Sequence, residues 1–447
     1  MQEKNGLQKI IAQFDRFAYY VDPKVERDIE ENRKGQFRFR FQNEKGEPLD
    51  GVKIKVTQTR HAFHFGATTF FLHQMETPEL NAAYEEKFKR IFNYAVIPLY
   101  WDTLEPEEGK PRFEKDSPFI SRRPPLDEAI GFCEQNGLDM KGHCLIYNSF
   151  QPSWLSDDNR EIKIKIDRRL GEIAERYGNQ FTDVDVINEM LTIYKNSYPG
   201  NGCRNLQITD ERDHEKWCFD LCKRHFPHSR LFWNEGCYET FGDPQYTGDK
   251  SVYYLMLKRW LSEGAPIEGI GMQFHAFDET EIQQKAIYNP YRTMDVLERY
   301  SDFGLPIHLS EVSIPSWSNE REDEDVQAEL VKRMYRLWFS SKNVESITWW
   351  NMVDGTAYGD ENRFFAGLLR NDMTHKKAYD VLDELINKSW RTEATLTTDE
   401  QGRAYFRGFF GEYDVKVGGS THELRFCKEN TGYYHVTAGP MEQKISL

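Results

Sequence analysis

The spacing of apolar positions changes period more than once along the chain, and each change predicts a different element. Residues 7 to about 34 carry Leu7, Ile10, Ile11 and Phe14 at helical spacing, which predicts an opening helix. Residues 36–41 (QFRFRF) then alternate strictly, Gly46-Glu47-Pro48 supplies a turn, and residues 52–56 (VKIKV) alternate again. That pattern predicts a β-hairpin with one buried face. From residue 63 onward, short β-rich runs at 63–70, 94–100, 138–145, 183–187, 230–234, 269–274, 306–310 and 346–350 alternate with longer stretches. Helix patterning marks those stretches at 84–92, 126–136, 162–177, 214–225, 252–263, 291–303 and 325–340, with a closing helix at 380–388. Strands each followed by a helix over one long stretch predict an α/β fold, a (β/α)8 TIM barrel, over a doubly wound sheet. No glycine-rich phosphate loop follows any of the runs.

Beyond the closing helix the period returns to two, at 393–397, 403–410, 412–417, 423–426 and 433–436, with glycine-rich turns between. Three parts are therefore expected. Residues 1–62 form the helix and hairpin, 63–389 the barrel, and 390–447 an accessory β domain that borrows the hairpin to complete its sheet.

Composition narrows the function classes. A 447-residue chain with 39% hydrophobic residues can bury one large core plus small attachments. A formal net charge of −15 disfavours nucleic acid and anionic membranes and fits a neutral or sparsely charged substrate. No apolar run is long enough to span a membrane. The start MQEKNGLQK has no signal-peptide core, and a secreted, periplasmic or surface-associated location after signal removal is expected over a cytoplasmic one. Seven scattered cysteines argue against a disulfide framework, and Cys218 and Cys222 have no second ligand pair at zinc spacing. Neither a metal nor another cofactor is expected. The acidic run 320–325 is expected to be a solvated loop entering a helix.

The chemistry centres on two strand ends. Residues 183–187 lead into Asn188-Glu189, so a buried strand would deliver an amide and a carboxylic acid at its C-terminal tip. An Asn-Glu pair is also an ordinary helix start. In a parallel barrel, however, the strand C-termini form the active face. Residues 306–312 (PIHLSEV) form a second such strand, whose alternation puts Ile307, Leu309 and Glu311 on one face and His308 on the other, towards the helical layer. An acid on the core phase of a buried strand is costly unless functional or paired. Gln273 and His275 share a phase at another strand end, and His143 ends the third strand. Two carboxyls on separate strand ends are the minimum equipment for cleaving a glycosidic bond.

These segments come in a familiar order. Gly142-His143, Asp185 to Glu189, Gly269 to Gln273 with His275, Leu309-Ser310-Glu311 and Trp350 to Asp354 resemble the successive signatures of family-10 glycoside hydrolases, typified by endo-β-1,4-xylanases. Leu104-Glu105-Pro106 with Gly109, and Pro152 to Leu155, fit the same pattern. The resemblance implies a carbohydrate substrate and a retaining double displacement, with Glu189 as acid/base and Glu311 as nucleophile. It further implies that Asn188 and His143 contact the reacting sugar, that Gln273 and His275 support the nucleophile, and that Trp350 forms an apolar floor.

The chain also departs from the family pattern. Ile97 and Tyr100 stand where xylanases carry the Asn and Lys that hold the next sugar, in the −2 subsite. Tyr147 and Asn148 replace a Trp-His pair, Ala357-Tyr358 a Ser-Trp pair, and Ser313 an Asp. All but the last lie on the glycone side, so Tyr100, Tyr147 and Tyr358 become its expected lining. The leading expectation is an endo-xylanase-like hydrolase of plant cell-wall polysaccharide. Its rivals are an exo-acting or side-chain-adapted β-glycosidase, with a glycone side closed around Tyr100 and Gln74, and a non-catalytic carbohydrate-binding barrel.

Overall fold

The computed structural model describes residues 2–191, 211–242, 246–277, 286–430 and 432–438, with side chains from residue 10 onward; Cys203 and the side chain of Leu7 lie outside the described residues. Helix α1 (Gln2–Arg33) buries Ile10, Phe14, Val21, Val25 and Ile29, a stripe at helical spacing. That stripe covers the helix Arg321–Ser340 on the barrel's outside, and Arg333 Nη1 donates to Asp15 Oδ1 at 2.7 Å beside it. Strands β1 (Lys34–Gln42) and β2 (Lys53–His61) follow.

The barrel begins three residues after β2 ends. It comprises β3 (His64–Thr68), β4 (Tyr94–Pro98), β5 (Asp139–His143), a two-residue extension β6 (Ile146–Tyr147), β7 (Phe181–Asn188), β8 (Arg230–Glu235), β9 (Gly269–His275), β10 (Ile307–Ser313) and β11 (Val344–Trp349). The eight long strands pair in parallel in chain order, and β11 pairing with β3 and β5 pairing with β7 close the ring. Helices 78–91, 126–135, 159–177, 214–225, 252–262, 290–300, 321–340 and 377–384 form the outer layer. The expected (β/α)8 barrel is therefore present. Some of these helices open on a side-chain cap, such as Asp158 accepting from Arg160 N at 2.8 Å, and each returns the chain to the next strand.

The last strands are β12 (Glu393–Thr397), β13 (Arg403–Phe409), β14 (Gly411–Val417), β15 (Ser420–Phe426) and β16 (Tyr433–Thr437). Here the hairpin expectation is corrected. β1 and β2 do not pair with each other: β1 lies between β13 and β16, while β2 lies between β12 and β14. The ten residues 43–52 form too long a link for a tight hairpin. They carry the chain from one sheet to the other instead, so that the two apolar rows face each other and share one core. That core is largely aromatic, with Phe37 stacked on Phe426 at 4.4 Å between ring centroids and Phe39 on Phe406 at 5.8 Å.

The acidic run is also corrected in part. The helix starts at Arg321, and Glu324 is buried and held by the Arg370 guanidinium, so it is an internal ion pair rather than a solvated charge. The six described cysteines form no disulfide, and Cys218 and Cys222 are fully buried in the core.

Candidate active site

Both candidate carboxyls reach the mouth of the barrel because their strands are irregular. β7 points Asp183 and Asp185 inward, and its pairing with β8 shifts register between Asp185 and Ile187, just before Asn188 and Glu189. β10 shifts register between Leu309 and Glu311 in its pairing with β9. This overturns the expected facing of His308. Its ring packs on Phe232 at 4.1 Å and against Tyr94 at 6.0 Å, inside the barrel, while Ser310 Oγ donates to Asn234 Oδ1. His308 and Ser310 thus hold the inward phase, and the bulge brings Glu311 round to join them. Simple alternation would have sent Glu311 outward.

Glu311 is 3% exposed and carries a donor on each oxygen. Asn234 Nδ2 donates to Oε1 at 2.7 Å, and His275 Nε2 donates to Oε2 at 2.9 Å. The His143 Nε2 atom stands 3.8 Å from Oε1. Burial lowers the affinity of His275 for its proton, but the hydrogen bond and charge of Glu311 more than compensate, so its pKa is raised above that of an ordinary histidine. Ser313 Oγ lies 3.0 Å from the other ring nitrogen of His275.

Glu189 is less enclosed. Its φ of +52° lies in the left-handed region, a conformation that costs a non-glycine residue about 1 kcal/mol. The backbone holds it there through Glu189 N donating to Asn234 O at 2.9 Å. Tyr147 O–H donates to Oε2 at 2.6 Å, and Gln273 Nε2 to Oε1 at 2.9 Å. Burial, and then the charge of Glu189, push the Tyr147 hydroxyl well above its usual pKa, so it stays a proton-bearing donor. The two carboxyls are joined by amides. Gln273 Nε2 also reaches Asn188 Oδ1 at 3.3 Å, and Asn234 Nδ2 donates to that same oxygen at 2.7 Å. One chain of side chains therefore runs from Glu189 through Gln273, Asn188 and Asn234 to Glu311.

Beneath this layer the interior is charged. His143 donates through Nδ1 to Asp185 Oδ2 at 2.9 Å, and Lys141 Nζ pairs with Asp185 Oδ1 at 2.6 Å. Lower still, Asp183 accepts from Arg230 Nε at 2.7 Å and from Tyr94 O–H at 2.6 Å. Beside the mouth, Glu235 is fully buried, and burial raises its pKa well above the usual carboxyl range. It accepts from Trp233 Nε1 at 2.7 Å and from Leu191 N at 3.2 Å. Among the described residues there is no cluster of histidine, cysteine and acidic groups that could hold a metal.

Trp350 is buried against His143 and His275, at ring distances of 5.2 and 5.8 Å. Tyr100 is 6% exposed, and its hydroxyl lies 3.2 Å from His143 Nε2. Around them Phe70, Tyr147 and Phe150 complete an aromatic wall. Tyr358 sits farther out, 42% exposed, edge-on to Phe150 at 5.6 Å. Gln74 spends its amide on the neighbouring segment: it accepts from Arg122 N at 2.6 Å and donates to Ile120 O at 3.0 Å. Glu105 receives Trp101 Nε1 at 2.9 Å and Gly109 N at 2.7 Å, so the Glu105–Gly109 segment is a folded turn. The structure thus brings Glu189, Glu311, Asn188, Gln273, His275, His143, Tyr100, Tyr147 and Trp350 together. Asn234, Lys141 and Glu235 were missed, and Asp185 and Ser310 stood in the quoted motifs without a role, although the alternation of Asp183 and Asp185 with valines was a visible signal that one face of β7 is polar.

Among curated relatives, the chain is 25% identical to the anti-sigma-I factor RsgI6 of Acetivibrio thermocellus over 404 residues, covering 89% of this chain and 46% of that protein. It is 24% identical to endo-1,4-beta-xylanase 1 of Arabidopsis thaliana, covering 88% of this chain and 37% of the relative. The chain thus spans less than half the length of these relatives. A shorter relative, the beta-1,4-xylanase of Dictyoglomus thermophilum, is 24% identical and is covered over 82% of its length. The same fold is found in xylanase 10B of Thermotoga petrophila, solved with xylobiose, at a TM-score of 0.57 and 21% identity over 73% of this chain and 95% of that one. The pattern of glycosyl hydrolase family 10 matches residues 60–385, the whole barrel and nothing of the C-terminal strands, and the chain belongs to that family.

Proposed function

We propose that the protein is a retaining β-glycoside hydrolase of endo-β-1,4-xylanase type, acting on plant cell-wall polysaccharide, with Glu311 as nucleophile and Glu189 as acid/base. The observation that carries this reading is the unequal dressing of two linked carboxyls. Glu311 takes a donor on each oxygen, one of them from a histidine that Glu311 itself favours in the charged form. That environment suits a group that must stay ionised until it attacks. Glu189 is more open to solvent and is held by a neutral phenol and an amide.

In the first step a Glu311 oxygen bonds to the anomeric carbon, the bond to the leaving oxygen breaks, and the Glu189 proton moves to that oxygen. In the second, Glu189 as carboxylate takes a proton from water, the water oxygen bonds to the anomeric carbon, and the ester to Glu311 breaks. Asn188 would hold the sugar's 2-hydroxyl, His143 would contact the same ring, and Trp350 would form its floor. Tyr100, Tyr147 and Tyr358 would line the glycone side, with Tyr100 in place of a polar −2 contact of xylanases; Ile97 is fully buried in the main core, apart from the aromatic wall, and would not reach that subsite. Family membership and the printed names of the xylanase relatives support this reading. We further take residues 63–389 as the catalytic unit, with residues 1–62 supplying helix α1 against its side and two strands that, with the C-terminal strands, brace its floor.

The test is product analysis by mass spectrometry after incubation with xylan, arabinoxylan and other plant β-glycans. Xylo-oligosaccharides that disappear with Glu311→Ala, a loss of about 10⁴-fold or more in rate, are the expected result. Cleavage of another glycan alone would keep the mechanism and replace the substrate. Binding without turnover would favour the carbohydrate-binding reading.

A further inference from the structure

Two arginines that the reaction does not use are buried beside the aromatic wall. Arg122 and Arg123, in the segment leading into the helix Leu126–Gln135, are 8% and 7% exposed. Arg122 is engaged by the fold: Nη1 donates to Asn351 Oδ1 at 2.9 Å and to Thr356 O, and its backbone N–H is held by Gln74. Arg123 is not. Its guanidinium carbon lies 4.0 Å from the Tyr100 ring centroid and 5.1 Å from that of Phe70. Among the described residues its guanidinium makes one hydrogen bond, from Nη1 to Arg122 O at 2.9 Å, and its Nε is buried with no acceptor.

Neither arginine has an ion pair with a carboxylate among the described residues. Asp102 acts on Arg123 and Glu361 on Arg122 only through space. Two adjacent buried cations with one guanidinium largely unbonded are costly, because a buried charge needs both a counter-charge and hydrogen bonds. The geometry also points towards the chemistry. Arg123 stacks on Tyr100, the Tyr100 hydroxyl touches His143 Nε2, and that nitrogen stands 3.8 Å from the nucleophile. With Nη1 on a backbone carbonyl and Nε without an acceptor, the stacked guanidinium is short of the planar, bidentate acceptor that an arginine fits best.

We infer that Arg123 receives the carboxylate of a uronic acid, so that the substrate carries an acidic sugar on the Tyr100 side of the nucleophile. This rests on the glycosidase reading above and names its substrate class. Sugar hydroxyls alone would leave the charge uncompensated. The chain's overall negative charge does not oppose it, since distant surface charges are screened within about 8 Å at physiological salt, whereas a buried arginine in contact is not.

The test compares hydrolysis of glucuronoxylan with that of the same polymer after chemical reduction of its carboxyl groups, which leaves backbone and linkages intact. The unmodified enzyme should favour the acidic polymer at least tenfold in kcat/KM. Arg123→Met should bring that ratio to within about twofold of one, and Arg123→Lys should retain part of it. Equal rates on both polymers, or an Arg123→Met variant that slows both and keeps the ratio, would overturn the inference. Failure of the glycosidase reading is separable, because binding needs no turnover. Sodium D-glucuronate, with D-xylose as control, is titrated into wild type and Arg123→Met and followed by saturation-transfer NMR. Glucuronate contact that vanishes in Arg123→Met supports the site even without hydrolysis; no contact, or contact that survives the substitution, overturns it.

Discussion

From floor to mouth, the barrel interior presents Arg230 with Asp183, Lys141 with Asp185, His143, and then Glu311 with His275. The interior of the sandwich that β1, β2 and β12–β16 form as two facing sheets presents Phe37, Phe39, Phe41, Phe406 and Phe426. Both are enclosed by strands that alternate, and both exclude water, yet they are filled with opposite chemistry. The aromatic core gains stability from burial in proportion to its apolar area, about 25 cal/mol per Å². The charged column gains little, because desolvation consumes most of what pairing returns. What the column gains is position: each charge fixes the next, and the last fixes the groups around Glu311. The two sheets meet the barrel floor directly: β2 runs into β3 after only two residues, and Phe409 packs on Phe339 at 6.0 Å.

The sharpest way to break this comparison is to damage the aromatic core alone. Phe426→Ala should cost about 3–5 kcal/mol in denaturant unfolding, while kcat per folded molecule stays within about twofold. If kcat collapses with stability, the two regions are one unit and the contrast drawn here is wrong.

A smaller effect on stability and a larger one on rate should follow at the mouth. Asn234→Ala removes the amide that links Asn188 to Glu311 and leaves both oxygens short of a donor. A fall of about 10–100-fold in kcat is expected, with a stability loss of about 1–3 kcal/mol. Unchanged kcat would show that the amide chain plays no part in aligning the carboxyls.

The smallest effect is in the titration of two histidines, and its sign differs between the regions. His275, raised by Glu311, contributes stability that is complete below about pH 6.5 and is lost as pH climbs through its elevated value. His61, at the sandwich–barrel junction, is pushed down to about 4 by burial. It stays neutral when folded, so its contribution is present above about pH 6.5 and is lost as pH falls towards 4. Histidine NMR titration checks both, and Glu311→Gln should return His275 downward while leaving His61 in place. A His275 that does not move would mean that the Glu311 contact is not what holds its proton.

The amino-acid sequence by itself determined which elements exist. Strict alternation in β1, β2 and β12–β16, helical spacing in between, and Asn188-Glu189 at a strand end were all legible, because period and residue type are local properties. The resemblance of ordered motifs added the pairing of Glu189 with Glu311. Only the tertiary structure decided which strand lies beside which. β1 and β2 look like a hairpin because alternation reports that a strand has two faces, not whose edge it meets. Only the fold decided what faces inward around Glu311: alternation puts His308 and Glu311 on opposite faces, and a bulge in β10 makes them neighbours. Asn234, Lys141 and the role of Asp185 were hidden for a related reason. A polar residue on every second position reads as a solvated face until a closed barrel turns that face into its interior, where partners far apart in the chain satisfy it.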